Sequence, residues 1–364
     1  MSNKQQIVIV GAGVLGLSTA LVICENLTIP HELTIIGEYG PHDPSMNAGL
    51  SNYARYTSPW AGAHFRPFPS KNSQEYAEMK LTRLTLSKFK SLSYGCPESS
   101  IKFVEGVEYL ENPDEFYKTA GKGYSEEIDN FTRLEDVKEG YIGFKYDTWV
   151  LNAPMYLQFL YRKLLIEYDV KFINQKLESL KQVNEYIPNQ PIIINCTGMG
   201  LQYNGGYDPE CFPIRGQTLL INPPKDCPYL DKTITYQHAD GNWTFVIPRP
   251  LNGGVILGGT KQPNEWSTEI RRDDTEALKK RGEAYFPELM KVDEDGKRYF
   301  DVLKINVGLR PARKSGLRIE TEKRGGNYII HNYGAGGMGY ELSYGSGLKV
   351  YENLLAIIGR QYKL

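Results

Sequence analysis

The sequence predicts an α/β fold of two interleaved lobes, one on a parallel sheet and the other on a mixed or antiparallel sheet. Three observations carry this. QQIVIVGAGVLGLSTALVICEN (5–26) runs from a short apolar stretch through a glycine-rich turn into a longer apolar stretch. Short apolar strands of the same kind recur at PIIINCTG (191–198) and NYIIHNYG (327–334), in the middle and near the end of the chain. From 211 to 260, runs such as TLLIN, WTFVIP and GVILGG alternate with turn signals, as in an antiparallel sheet. At 364 residues the chain can form two cores. The expected division gives 1–80, 151–205 and 301–364 to one discontinuous lobe, and 81–150 and 206–300 to the other.

In chain order, QQIVIV is the first parallel strand and VLGLSTALVICEN the helix that follows it. The turn between them is GAGVLG. Gly11 permits the tight turn, Gly13 lets the backbone approach a pyrophosphate, and Gly16 lets the helix pack on the strand. Val14 and Leu15 open the helix, whose free N–H groups and dipole attract phosphate. ELTIIGE (32–38) is the second strand, and Glu38 at its end is placed to bind ribose hydroxyls. This is a Rossmann-like dinucleotide site, and the motif alone does not separate FAD from NAD.

Residues 39–70 form a long irregular connection rich in Gly, Pro, Ser and Asn, and loops of that length tend to be functional. A helix with a charged face covers 73–93, and 94–150 reads as mixed and turn-rich. An amphipathic helix spans 152–168, and DDTEALKKRGEAYF (273–286) is a helix with charged surfaces. The chain closes with KINVGLRPAR (304–313), the strand at 327–334, a glycine-rich turn and a last helix.

Composition narrows the function. A formal net charge of −1 favours neither nucleic acid nor an anionic membrane as partner. The 26 tyrosines suit a globular protein with large pockets. The five cysteines show no C-x-x-C pattern and read as reduced. The five histidines show no metal-ligand spacing, so no metal is expected. Residues 7–24 are uncharged, but Gly11, Gly13 and Gly16 break them as a membrane span, and Lys4 is the only basic residue before them. The expectation is a soluble chain. A homo-oligomer is compatible with the sequence, which holds no pattern that decides oligomeric state.

Six stretches occur in one order: TSPWAGAHFRP (57–67), IINCTG (193–198), PIRGQTLLI (213–221), FVIPRP (245–250), VGLRPAR (307–313) and HNYGAGGMGY (331–340). Together they resemble, nearly end to end, the D-amino acid oxidase and D-aspartate oxidase family in its fungal form. The resemblance implies non-covalent FAD and oxidative deamination. A D-amino acid gives hydride directly to flavin N5, the imino acid hydrolyses to a 2-oxo acid and ammonia, and dioxygen leaves as hydrogen peroxide. It implies no side-chain general base, so that placement supplies the catalysis.

The resemblance also assigns residues. Arg310 matches the arginine that grips the α-carboxylate, a task suited to a guanidinium fork. Gly337 matches the backbone carbonyl that receives the amine. Gly336, Gly339, Tyr340 and Glu341 fall beside the flavin, Thr57, Ser58, Ala61 and Gly62 in the FAD-binding loop, and Gly198 among the cofactor contacts. Arg215, Gly216 and Gln217 match a conformationally demanding turn, and Arg313 is given a structural role. Two positions depart from the pattern. Phe245 stands where relatives with neutral substrates keep a tyrosine, and Glu341 where relatives place Gln or Thr.

Lys261 follows Gly258-Gly259-Thr260, at a position where animal D-aspartate oxidases keep an arginine for the second carboxylate. His238 matches a second such arginine, and Arg66 and His64 fall among pocket-lining residues. A lysine at a strand end is ordinarily solvated. The implied substrate is an acidic D-amino acid, D-aspartate first and D-glutamate second, with dioxygen as co-substrate. The alternative is the same chemistry on neutral D-amino acids. The family is often peroxisomal, but Tyr362-Lys363-Leu364 shares only its last two residues with an S-K-L import signal, so the peroxisomal matrix and the cytoplasm both stay open.

Overall fold

The computed structural model describes residues 4–43 and 54–361. The C-terminal tripeptide and residues 44–53 of the long connection lie outside the described residues. The chain divides into two compact units. One comprises Met1–Ser58, Leu157–Pro213 and Arg310–Leu364, the other Pro59–Tyr156 and Ile214–Leu309. Against the expected boundary at 80, residues 59–80 thus belong to the second unit. The helix Ser73–Gly95 has its partners there: Phe89 packs its ring 4.8 Å from Trp149 and 5.3 Å from Tyr156, centroid to centroid.

The first unit holds a six-stranded sheet in the spatial order Thr321–Arg324, Asn327–His331, Ile192–Asn195, Gln5–Val10, His31–Gly37, Lys171–Asn174. All neighbours are parallel except the antiparallel edge pair Thr321–Arg324 with Asn327–His331. Ile7, Val8 and Ile9 are at most 1% exposed, as are Ile192, Ile193 and Ile194. Continuous apolar runs are what a sheet covered on both faces requires. The helices Val14–Asn26 and Gly339–Gln361 pack closely at Gly347, where a Cβ would lie 3.2 Å from the Thr19 Cα.

The second unit holds a nine-stranded sheet. Its path runs Gln262–Pro263, Cys211–Ile221, Val255–Gly258, Trp243–Pro248, Lys232–Gln237, Lys102–Glu111, Tyr141–Val150, Thr132–Leu134, and Val302–Arg313 pairs with Cys211–Ile221 off this path. Lys232–Gln237 and Lys102–Glu111 pair in parallel, which makes the sheet mixed. On one face Leu219, Ile221, Val246, Val255 and Leu257 form a core with Leu278 of the helix Arg272–Tyr285 and with Phe286. The opposite face carries Val104, Val150, Ile247 and Ile256, with Phe245 packed against them.

Two elements differ from expectation. Within 94–150 lie two ten-residue strands in full register, from Lys102↔Val150 to Glu111↔Tyr141. FVEGVEYLE has period 2, but acids interrupt its apolar run. Arg215, Gly216 and Gln217 lie inside the strand Cys211–Ile221 and not in a turn. The demand there is electrostatic. Arg215 is 0% exposed and donates to Asp274 at 2.8 Å, Gln262 at 2.6 Å, Gln217 at 2.9 Å and the carbonyls of Ser267 and Glu269 at 3.0 and 2.6 Å.

Candidate active site

In the first unit the glycine-rich turn is built by exclusion. Gly11 has φ +108°, and a Cβ there would lie 2.4 Å from the Cys196 carbonyl oxygen. A Cβ on Gly16 would lie 1.9 Å from the Gly11 carbonyl oxygen. Both positions therefore exclude any side chain. The helix Val14–Asn26 starts at Gly13 with no side-chain cap and no acid in its first turn. Such a start leaves backbone N–H groups for an anion. The Val14 N–H donates to Ser58 Oγ at 3.1 Å, and the Ser58 carbonyl accepts from the Tyr340 hydroxyl at 2.8 Å. Gly339 opens the second long helix, and a Cβ there would lie 3.5 Å from Val14 Cγ1. Gly13, Val14, Ser58, Gly339 and Tyr340 thus form one cluster where two helices start. Leu15 is buried one residue further on, and Thr57 and Glu38 are half-buried. Glu341 is 9% exposed in the first turn of the second helix, where a dipole favours an acid.

The same unit carries Arg310. The glycine-rich turn is tied to its strand: Gly336 N–H donates to the Pro311 carbonyl at 2.8 Å, and Gly334 N–H to the Gly198 carbonyl at 3.1 Å. Gly198 has φ +72°, with Pro311 Cγ 3.2 Å from where a Cβ would be. Gly337 is thereby set beside the Arg310 side chain, whose Cδ lies 3.9 Å from a Cβ built on that glycine. Burial pulls the Arg310 pKa below its ordinary value. Arg313 turns elsewhere and pairs with Asp208 at 2.9 Å and with Glu210.

In the second unit Arg249, 7% exposed, gathers the loop that contains Ala61 and Gly62. It donates to the carbonyls of Pro59 at 3.1 Å, Ala61 at 2.6 Å and Gly62 at 3.0 Å. The double glycine before Lys261 accommodates Phe245: a Cβ on Gly258 would lie 2.1 Å from the Phe245 ring, and one on Gly259 3.0 Å from it. What comes close to those glycines is an aromatic side chain of the neighbouring strand.

The four cationic candidates have different surroundings. Arg66 forms a 3.2 Å ion pair with Glu108, whose side chain is 0% exposed. Glu108 also accepts from the Tyr124 hydroxyl and from Gln237 Nε2 at 3.3 Å. Burial opposes the Arg66 charge, but Tyr117 and Glu108 outweigh it and raise the pKa above the ordinary arginine value. The Arg66 guanidinium lies 4.5 Å from the Trp243 ring centroid, and Lys261 Nζ lies 5.3 Å from the same centroid. Lys261 is exposed. His238 bonds Thr244 Oγ1 at 2.8 Å and packs on Tyr285 at 5.0 Å. Thr244 alternates with Trp243 and Phe245 along the strand, so His238 sits on the opposite face of the sheet from them. Burial lowers its pKa. His64 bridges to Val150, and burial followed by the Arg66 charge pushes its pKa down to about 3. The structure therefore groups Arg66 and Lys261 at one indole and separates His238 from them.

A family profile described as "DAO: FAD dependent oxidoreductase" matches residues 6–352. The chain belongs to this family. Its cofactor is FAD, and it is an oxidoreductase. A D-aspartate oxidase of Talaromyces thermophilus is 36% identical over 96% of this chain and 95% of its own. A D-amino-acid oxidase of Schizosaccharomyces pombe is 34% identical over 95% of each. A glycine oxidase structure from Bacillus cereus covers 97% of this chain and 95% of its own, with TM-score 0.67 and 16% identity, and shows the shared fold. The residues of the first unit fit FAD. The uncapped helix start, the side-chain-free positions at Gly11 and Gly16, and Glu38 after the second strand match what a pyrophosphate and a ribose require. Among the described residues no helix is long and apolar enough to cross a membrane.

Three residues of this member of the family escaped the sequence reading. Arg249 was visible as a charge inside the apolar VIPRP run. Glu108 was visible as an acid in phase with Val104 and Leu110, the buried positions of its strand. Trp243 carried no signal beyond its place two residues before Phe245.

Proposed function

We propose that this chain oxidatively deaminates acidic D-amino acids, D-aspartate before D-glutamate, to the 2-oxo acid, ammonia and hydrogen peroxide. The observation that carries the reaction class is Arg310 beside Gly337. The guanidinium fork takes the α-carboxylate through two parallel charge-assisted bonds, and the Gly337 carbonyl accepts an N–H of the amine. Held at these two points, the α-carbon is fixed in one orientation, and orientation alone can supply about 7 to 11 kcal/mol of barrier reduction at its best. Bound FAD supplies the hydride acceptor. The substrate loses the α-hydrogen with its electron pair and one amine proton, water hydrolyses the imine, and dioxygen takes up the two electrons with two protons.

The acidic preference rests on Lys261. Lys261, at the position where the resemblance keeps a cation, is the residue we assign to the distal carboxylate; Arg66 pairs with Glu108. The likeness to a D-aspartate oxidase supports this reading. The exposure of Lys261 favours a second reading, neutral D-amino acids with Lys261 solvated, which the likeness to a D-amino-acid oxidase also supports. Purified protein should be yellow, and D-aspartate without oxygen should bleach it faster than D-alanine does. Faster bleaching by D-alanine would sink the acidic assignment, and no bleaching by either would sink the reaction class.

A further inference from the structure

Trp243 has no role in the assignments above, yet two cations lie over it. We propose that Trp243 is the specificity-positioning residue for the acidic substrate, holding Lys261 by a cation–π contact, with buried Glu108 cancelling the charge of Arg66 on the same indole. The inference rests on the acidic-substrate reading of Lys261.

The geometry supplies the reasons. The Arg66 guanidinium carbon and Lys261 Nζ lie 4.5 and 5.3 Å from the Trp243 centroid, both within the roughly 6 Å at which an indole face attracts a cation. Two cations over one ring repel each other, so the arrangement needs an anion. Glu108 provides it at 3.2 Å from Arg66 and is itself fixed by Tyr124 and Gln237. Gln237 is the cross-strand partner of Trp243. One register therefore sets both the indole and the group that orients the acid. The Lys261 ammonium over the indole is the group that would tell a side chain with a negative charge from a neutral one. Lysine is a compact charge on a flexible four-carbon stem. The indole restricts it, so less ordering entropy is lost when a carboxylate arrives.

The test compares kcat/KM for D-aspartate and D-alanine in the FAD-loaded enzyme, with flavin absorbance confirming cofactor content. Wild type must favour D-aspartate; if it favours D-alanine, the acidic reading fails and this inference fails with it. Given that preference, Trp243→Leu should lower the ratio about fivefold, the equivalent of a cation–π contact of about 1 kcal/mol. The loss should fall in KM for D-aspartate more than in kcat. Trp243→Phe keeps a weaker π face and should lower the ratio about twofold. If the leucine variant does not retain flavin, the phenylalanine variant decides. In a Lys261→Met background Trp243→Leu should lower the ratio no further. An unchanged ratio, equal losses in the leucine and phenylalanine variants, or a further fivefold fall in the Lys261→Met background would overturn the role of Trp243 and leave the acidic preference standing.

Discussion

Arg310 and Arg66 are both arginines drawn out of water, one in each unit, and their surroundings treat them oppositely. At Arg310 burial pulls the pKa down, and the neighbour the turn provides is a glycine. At Arg66 the same burial is outweighed by Tyr117 and Glu108, and the charge is raised above its ordinary affinity for a proton. An arginine matched by an internal acid is a strut. Arg310, beside Gly337, is the arginine we assign to the substrate. Counting cations in a sequence does not distinguish the two, because the deciding partner, Glu108, comes 42 residues after Arg66.

The largest effect should come from Arg310. Arg310→Ala should cost about 3 to 5 kcal/mol in kcat/KM for every D-amino acid, acidic or neutral, because it deletes a bidentate charged contact. Arg310→Lys should recover only part. Near-normal kcat/KM in the alanine variant would erase the contrast with Arg66. Next comes Glu108→Gln, which leaves a buried guanidinium without its acid. It should cost about 3 kcal/mol of stability, read in denaturant unfolding of the FAD-loaded protein. A cost within 0.5 kcal/mol or so, usual for surface changes, would mean the pair is not the strut described.

Lys261→Met should act on substrate choice alone. It should lower kcat/KM for D-aspartate about tenfold, roughly 1.4 kcal/mol, while D-alanine holds or gains. Equal losses on both substrates would make the lysine structural.

The smallest effect concerns pH. Burial holds His64 down at about 3 and lowers His238 below its ordinary value. A histidine with a depressed pKa is neutral at pH 7 and gains its proton only below about 6.5, the unperturbed value. The D-aspartate to D-alanine ratio should therefore stay level between about pH 6.5 and 8, with the distal carboxylate assigned to Lys261 and not to either histidine. A ratio that climbed as pH fell through 7.5 would give the distal carboxylate to a histidine.

Much of the fold was legible in the sequence. The strand Gln5–Val10, the helix Val14–Asn26 and the helix Ala153–Tyr168 follow from local periodicity and glycine placement. The strands Lys102–Glu111 and Tyr141–Val150 were not read, because their acids and turn-rich flanks hid the period. The cluster of Gly13, Val14, Ser58 and Tyr340 was anticipated as a set of separate matches; its hydrogen bonds link positions up to 282 residues apart. What stayed hidden was charge compensation. The resemblance puts Arg66 among the pocket-lining residues, while its partner Glu108 lies on a strand within 94–150, a stretch whose sequence is mixed and turn-rich.

The order in which the first unit's strands occur has a consequence for biosynthesis. Its first strand pairs with Ile192–Asn195, and that strand pairs in turn with Asn327–His331. At a synthesis rate of about 5 to 20 residues per second, Val10 waits roughly 10 to 40 seconds for its partner at Asn195. During that interval the uncharged segment 7–24 has left the ribosome without the strand that pairs on the other side of Gln5–Val10. Non-local pairing of this kind folds slowly and leaves apolar surface open to aggregation. The nascent chain should therefore depend on chaperones until residue 331 has emerged, and the hydrogen bond from Tyr340 to Ser58 can form only after that.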